Sequence, residues 1–129
     1  MLPLIREGRD VIVIERRPEG RLRRLDVPLY RRPTDPEGKY VLHRILRVCN
    51  DGTYWLCGDN RRWIEKGVKD EQILGVLRVV VRDGQTVELD KSWRYKLYSH
   101  LWCDFFPVRW AVIVVRDTFS RVKRHFLAK

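Results

Sequence analysis

The sequence predicts a mainly β domain, a barrel or folded sheet, followed by an α-helical segment. Three observations carry this. Short β-branched runs recur through residues 1 to 90, and clusters of Gly, Pro, Asn and Asp separate them as turn signals do. After Asp90 the texture turns aromatic-rich, and beyond Pro107 the apolar residues recur at steps of three and four, the spacing of one helix face. With 129 residues the chain has room for one domain and an appendage, and for a core that needs no covalent staples. The division that follows is 1–90 for the β domain and 91–129 for a basic, aromatic-rich helical segment.

Each element has its own signal. Val11-Ile12-Val13-Ile14 is β-branched throughout, which predicts a buried strand, and Arg16 to Gly20 breaks it. Val27 to Arg31 predicts a second strand, with Pro28 placing it at an edge or a bulge. Pro33 to Gly38 is a turn cluster. Tyr40 to Cys49 and Thr53 to Cys57 flank Asn50-Asp51-Gly52, which predicts a hairpin with His43 on one arm. Gly58-Asp59-Asn60 begins where the other arm ends. Gln72 to Arg82 predicts a further strand, turned by Asp83-Gly84 into Thr86 to Leu89. In the tail, an aromatic stretch from Trp93 to Phe106 runs into Pro107, which should stop or kink a preceding helix. Val108, Val112, Val115, Phe119, Val122 and Phe126 then form a helical stripe interleaved with Arg116, Arg121, Lys123 and Arg124.

Charge is unevenly distributed. Lys and Arg number 27 against 17 Asp and Glu, a net +10. Residues 91 to 129 hold nine of the bases against Asp104 and Asp117, or +7, which leaves +3 for residues 1 to 90. The tail is therefore the part suited to an anionic surface. Its tryptophans and arginines fit an anionic membrane interface, or alternatively a helical hairpin packed on the barrel with a solvated basic face. The weak charge of residues 1 to 90, without a helix-turn-helix or RNA-binding motif, counts against nucleic acid as a partner. Cys49, Cys57 and Cys103 are odd in number and lack Cys-x-x-Cys spacing, so neither a metal site nor a disulfide framework is expected. Cys49 and Cys57 pairing across the hairpin is the alternative to three free thiols in a reducing compartment. No cofactor is expected. No run approaches the ~20 apolar residues of a spanning helix, so the expected location is cytoplasmic or peripheral on the cytoplasmic membrane.

The chemistry concentrates in Tyr40-Val41-Leu42-His43-Arg44-Ile45 and Gly58-Asp59-Asn60. A strand histidine is either a general base or an ordinary side chain satisfied by a backbone carbonyl. The base reading needs a carboxylate to hold its tautomer. Asp59 is the first candidate, with a structural role in its turn as the alternative, and Glu65 is the second. Arg44 stays protonated, so it suits pairing with a carboxylate or lining a groove.

In order and spacing these boxes resemble the serine peptidases of the type I signal peptidase and LexA superfamily, in the branch with His-Arg where bacterial enzymes have lysine. The resemblance covers Met1 to about Val81. It includes Met1-Leu2-Pro3, Arg6-Glu7-Gly8, Leu25 to Arg31, His43-Arg44-Ile45, Gly58-Asp59-Asn60 and Gln72 to Val76. It implies a peptide or protein substrate, extended along a sheet edge, in leader or signal peptides. It also implies His43 as base, with Asp59 or Glu65 orienting it and Glu65 near the position of the family's later acidic residue. Met1, Leu2 and Pro3 match the back half of a Ser-Met-x-Pro box. The expectation is thus a chain cut immediately after its nucleophile, inactive as given, or alternatively a catalytically dead fold kept for binding peptides or partners. Leu25 where the family usually has glycine, Pro28 in a strand, and Arg9 between Gly8 and Asp10 depart from the pattern.

Overall fold

The computed structural model describes residues 5–6, 8–32, 34–104 and 106–127. The chain is mainly β, with two antiparallel sheets and two C-terminal helices. The strands are β1 (Val11–Arg16), β2 (Pro28–Arg31), β3 (Tyr40–Leu42), β4 (Arg44–Val48), β5 (Thr53–Cys57), β6 (Glu65–Lys69), β7 (Ile73–Arg82) and β8 (Gln85–Glu88). One sheet has the order β1-β7-β2-β3 with β8 also paired to β7, and the other is β4-β5-β6. Between them pack Leu22, Tyr30, Ile45, Tyr54, Leu56, Val68, Ile73 and Val76, drawn from both sheets. A second cluster, Val27, Leu77, Val80 and Leu89, receives Tyr95 from the first helix.

β7 is the spine of the larger sheet, because its ten residues pair with β1 along one edge and with β2 and β8 along the other. Gly75 permits the crossing with β1: a Cβ there would lie 2.5 Å from the Glu15 carbonyl oxygen. Asp83 and Gly84 both have positive φ, 50° and 78°, which is the backbone a two-residue hairpin between β7 and β8 requires.

Three local expectations change. β1 forms as a strand, but it is an outer one, and Val11, Ile12 and Val13 are exposed rather than buried. Its β-branched run reflects backbone preference without a second layer over it. β2 lies between β7 and β3, so of the edge and bulge positions expected for Pro28 the edge does not hold; Pro28 occupies the first strand position, beside a bulge-type register shift between Leu29 and Tyr30. The run Tyr40 to Cys49 is not one hairpin arm. It breaks at His43, with β3 in the larger sheet and β4 in the smaller. The hairpin itself is β4–β5, closed by Cys49 N–H to Thr53 O at 2.9 Å.

Leu25, φ 77°, sits in the left-handed region that glycine adopts without strain. Its N–H donates to Ile45 O at 2.9 Å. The three cysteines are free thiols. Cys57 pairs with Arg44 while Cys49 pairs with Thr53, so the two stand at opposite ends of the hairpin, roughly 13 Å apart at strand rise, and cannot bridge.

The tail forms α1 (Trp93–Asp104) and α2 (Phe106–Leu127). Pro107 falls in the first turn of α2, where the missing N–H has no intrahelical partner to lose. Of the described α2 side chains only Arg109 and Ile113 are buried. The stripe lies elsewhere: Val112, Val115, Phe119, Val122 and Phe126 are 47–73% exposed, centred roughly 120° around the helix from Arg109 and Ile113 at 100° per residue. The stripe therefore does not pack on the β domain. No described helix is long and apolar enough to cross a membrane.

Candidate active site

His43 stands at the junction of the two sheets. Its neighbour on one side ends β3 and on the other begins β4, and its own N–H reaches Pro28 O at 3.4 Å. The ring is therefore fixed by two ladders that diverge from it. Burial alternates along β2, so Tyr30 points inward, and its hydroxyl lies 3.0 Å from His43 Nδ1. The same hydroxyl donates to Glu65 Oε2 at 2.6 Å, and Arg32 binds Glu65 Oε1. Glu65 Oε1 is also 3.7 Å from His43 Nδ1.

These contacts settle the tautomer. An ionised carboxylate accepts only, so the single Tyr30 proton goes to Glu65. The Tyr30 oxygen must then accept, which places the other proton on His43 Nδ1 and leaves Nε2 with its lone pair. Burial pushes the His43 imidazole down to about 4, against a partial upward pull from Glu65, with Arg32 and Arg61 adding to the fall. At neutral pH the ring is an uncharged acceptor. Burial raises the Glu65 carboxyl, but hydrogen bonds from Arg32 and Tyr30 outweigh it and hold the group below the usual carboxylate range. The Tyr30 phenol is raised far above its ordinary value, by burial and then by Glu65. It remains a proton carrier throughout.

Asp59 does different work from Glu65. Its two oxygens receive Arg44 Nε at 2.8 Å and Nη2 at 2.7 Å, and both side chains are fully buried. Tyr98 donates to the same carboxylate at 2.9 Å, while Trp102 Nε1 donates to the Asp59 carbonyl at 2.9 Å. Arg44 Nη1 meets Leu25 O at 3.2 Å, Tyr95 at 2.7 Å and Ser99 at 3.0 Å. Asp59 thus satisfies a buried guanidinium, a role its turn position did not suggest, and Glu65 is the carboxylate brought to His43. Arg44 pairs as expected of its chemistry. A cavity of about 520 Å³ lies behind this node, lined by Leu25, Tyr95 and Ser99 among others, and does not include His43.

Gly58 closes the other side of the imidazole: a Cβ built there would lie 3.1 Å from His43 Nε2 and Cδ2. A side chain there would crowd that nitrogen, and glycine spares it the contact. Met1, Leu2 and Pro3 lie outside the described residues. Burial raises the Cys57 thiol and pushes that of Cys103 up to about 11, so both remain protonated at neutral pH and are poor nucleophiles.

Several participants escaped sequence reasoning. Tyr30 carried a usable signal, since a tyrosine on the inward period of a strand needs a partner for its hydroxyl. Arg32, Tyr95, Tyr98, Ser99, Trp102 and Arg109 carried none, because each meets the site across a long separation. No protein-family model matches the chain, and neither the curated proteins nor the solved structures searched contain a match.

Proposed function

We propose that the chain is the histidine-base part of a serine endopeptidase of the signal-peptidase type, on a LexA-like β fold, acting on leader or signal peptides. The observation that carries this reading is the Glu65–Tyr30–His43 relay. It presents a neutral imidazole whose Nε2 is free to accept a proton. In this reading a serine placed at the Met1 end of the site, as in the extended chain tested below, would supply the nucleophile. Its hydroxyl oxygen forms the new bond to the scissile carbonyl carbon, and its proton passes to Nε2. The imidazolium is stabilised by Glu65 directly and through Tyr30. It then returns the proton to the leaving amine as the peptide bond breaks.

The substrate is an extended peptide laid along an edge strand. β3 is an outer strand of the larger sheet and runs directly into His43, so a peptide paired with Tyr40–Leu42 is led to the base. The tail draws the enzyme to an anionic membrane surface through the exposed α2 stripe and its flanking cations. The protein is then cytoplasmic or peripheral on that membrane.

The test compares the 129-residue chain with the same chain preceded by Gly-Asn-Ser, using a fluorogenic leader peptide with small residues at the cleavage point. Cleavage by the extended chain, lost in His43→Ala, supports the enzyme. Robust cleavage by the unextended chain would mean that another residue attacks. Binding without cleavage by either chain would favour the alternative, a catalytically dead fold that holds peptides or partners.

A further inference from the structure

The turn that covers His43 is held from the tail. Gly58, Asp59 and Arg61 expose their carbonyls on one side, and side chains of α1 and α2 occupy all three. Arg109 Nη2 donates to Gly58 O and, at 2.9 Å, to Arg61 O, and it lies 3.2 Å from Cys57 Sγ. Trp102 takes Asp59 O and also places its ring 5.9 Å from the Arg109 guanidinium. Arg109 is 1% exposed. Removing a guanidinium from water is costly, so a buried arginine directed at main-chain carbonyls is a demanding way to fill space.

The geometry points to Arg109 as a positioning residue for His43, acting through Gly58. Arg61 N–H closes the turn on Gly58 O at 2.9 Å, and Arg109 donates to that carbonyl and to the carbonyl of Arg61 itself. The turn therefore moves as one piece with the start of α2. On its other face Gly58 lies against Nε2, the atom that accepts the proton, at a separation where even a methyl group would crowd it. A small outward shift of the turn admits water to Nε2, whereas an inward one blocks it. The residues before 91 accordingly do not define the site alone. The tail sets how dry and how accessible the base is.

This inference rests on reading His43 as a base, but its test needs no turnover. The His43 ring is titrated by ¹⁵N NMR in the full chain, with Arg109→Met, Arg109→Lys and Trp102→Phe beside it. Burial holds the unmodified ring near 4, so loosening the turn in Arg109→Met should raise its proton affinity by about tenfold or more. Arg109→Lys, which keeps donors on a long stem, should recover most of the difference, and Trp102→Phe should give a smaller rise. A folded Arg109→Met chain whose His43 titrates as in the original would overturn the role. Should Arg109→Met not fold, the unmodified chain decides. The Arg61 amide and the Arg109 guanidinium resonances must shift with the same midpoint as His43, and their indifference to that titration overturns the coupling. An unmoved His43 leaves the peptidase reading intact. Failure of the serine-extended chain to cleave peptides leaves the Arg109 coupling intact.

Discussion

Acidification from pH 7 to 4.5 should destabilise the protein chiefly through His43, and the size of the effect follows from its surroundings. The folded ring titrates near 4 because it is buried, whereas in the unfolded chain it titrates near 6.5. Above pH 6.5 it is neutral in both states and contributes nothing. Below that pH the unfolded chain takes up a proton that the folded chain refuses, so the unfolded state gains and stability falls with pH. The loss reaches about 2.5 kcal/mol by pH 4.5 and approaches roughly 3 kcal/mol near pH 4. Asp10, Asp51, Glu65 and Asp104 are all held below their ordinary values. Their stabilisation is present above the unfolded carboxylate range near 4 and is lost below it, largely outside this window. Urea denaturation followed by tryptophan fluorescence at pH 7, 6, 5 and 4.5 measures the slope. His43→Gln should lower stability at pH 7, by disturbing Tyr30, yet remove most of the slope. Equal losses in the original chain and His43→Gln between pH 7 and 4.5 would refute the reasoning.

Further outcomes follow from the other contacts and exposures described above. Asp59→Ala leaves Arg44 buried without its carboxylate and should cost about 3–5 kcal/mol in urea denaturation. Arg44→Ala should cost a comparable amount. Glu65→Gln removes the charge that pulls His43 upward, so the ring should titrate lower still by NMR, and the serine-extended enzyme should lose activity. Leu25→Gly relieves a left-handed side-chain conformation worth ~1–2 kcal/mol and pays back some of it in backbone entropy, for a net gain of up to about 1 kcal/mol in thermal denaturation. Phe119→Ser should change stability by less than about 0.5 kcal/mol, because the residue is 70% exposed. It should also weaken co-sedimentation with anionic vesicles at low salt, and equal partitioning of both chains would count against a lipid role for α2.

What the sequence made legible was local. Asn50-Asp51-Gly52 and Asp83-Gly84 announced their turns because Gly52, Asp83 and Gly84 take the left-handed backbone that favours such residues, and the α2 stripe was visible because a helix face repeats within a dozen positions. The break at His43 was invisible, since Tyr40 to Cys49 is uniformly strand-prone and the change of sheet depends on what each half pairs with. Val11 to Ile14 read as a strand correctly, but its exposure depends on the absence of a covering layer, which its own residues do not encode. The site divides the same way. His43 and Arg44 stood out by motif, and the motif drew attention to Asp59 as orienter, yet the adjacent Arg44 claims that carboxylate. Glu65 reaches His43 from another strand, 3.7 Å from Nδ1 and bridged by Tyr30, 35 residues earlier in the chain.

The Arg44–Asp59 pair also imposes an order on the folding chain. Its two residues are 15 positions apart and flank one local hairpin, so they can meet early. The groups that enclose them come later: Tyr98 and Trp102 lie 39 and 43 positions beyond Asp59, and Tyr95 and Ser99 lie 51 and 55 beyond Arg44. Until α1 docks, the ion pair faces water and loses little by doing so. Docking of α1 removes both charges from solvent, which is costly unless the groups that meet them are in place. A misregistered β4–β5 hairpin, which would separate Arg44 from Asp59, should therefore hinder closure of the tail over the β sheets.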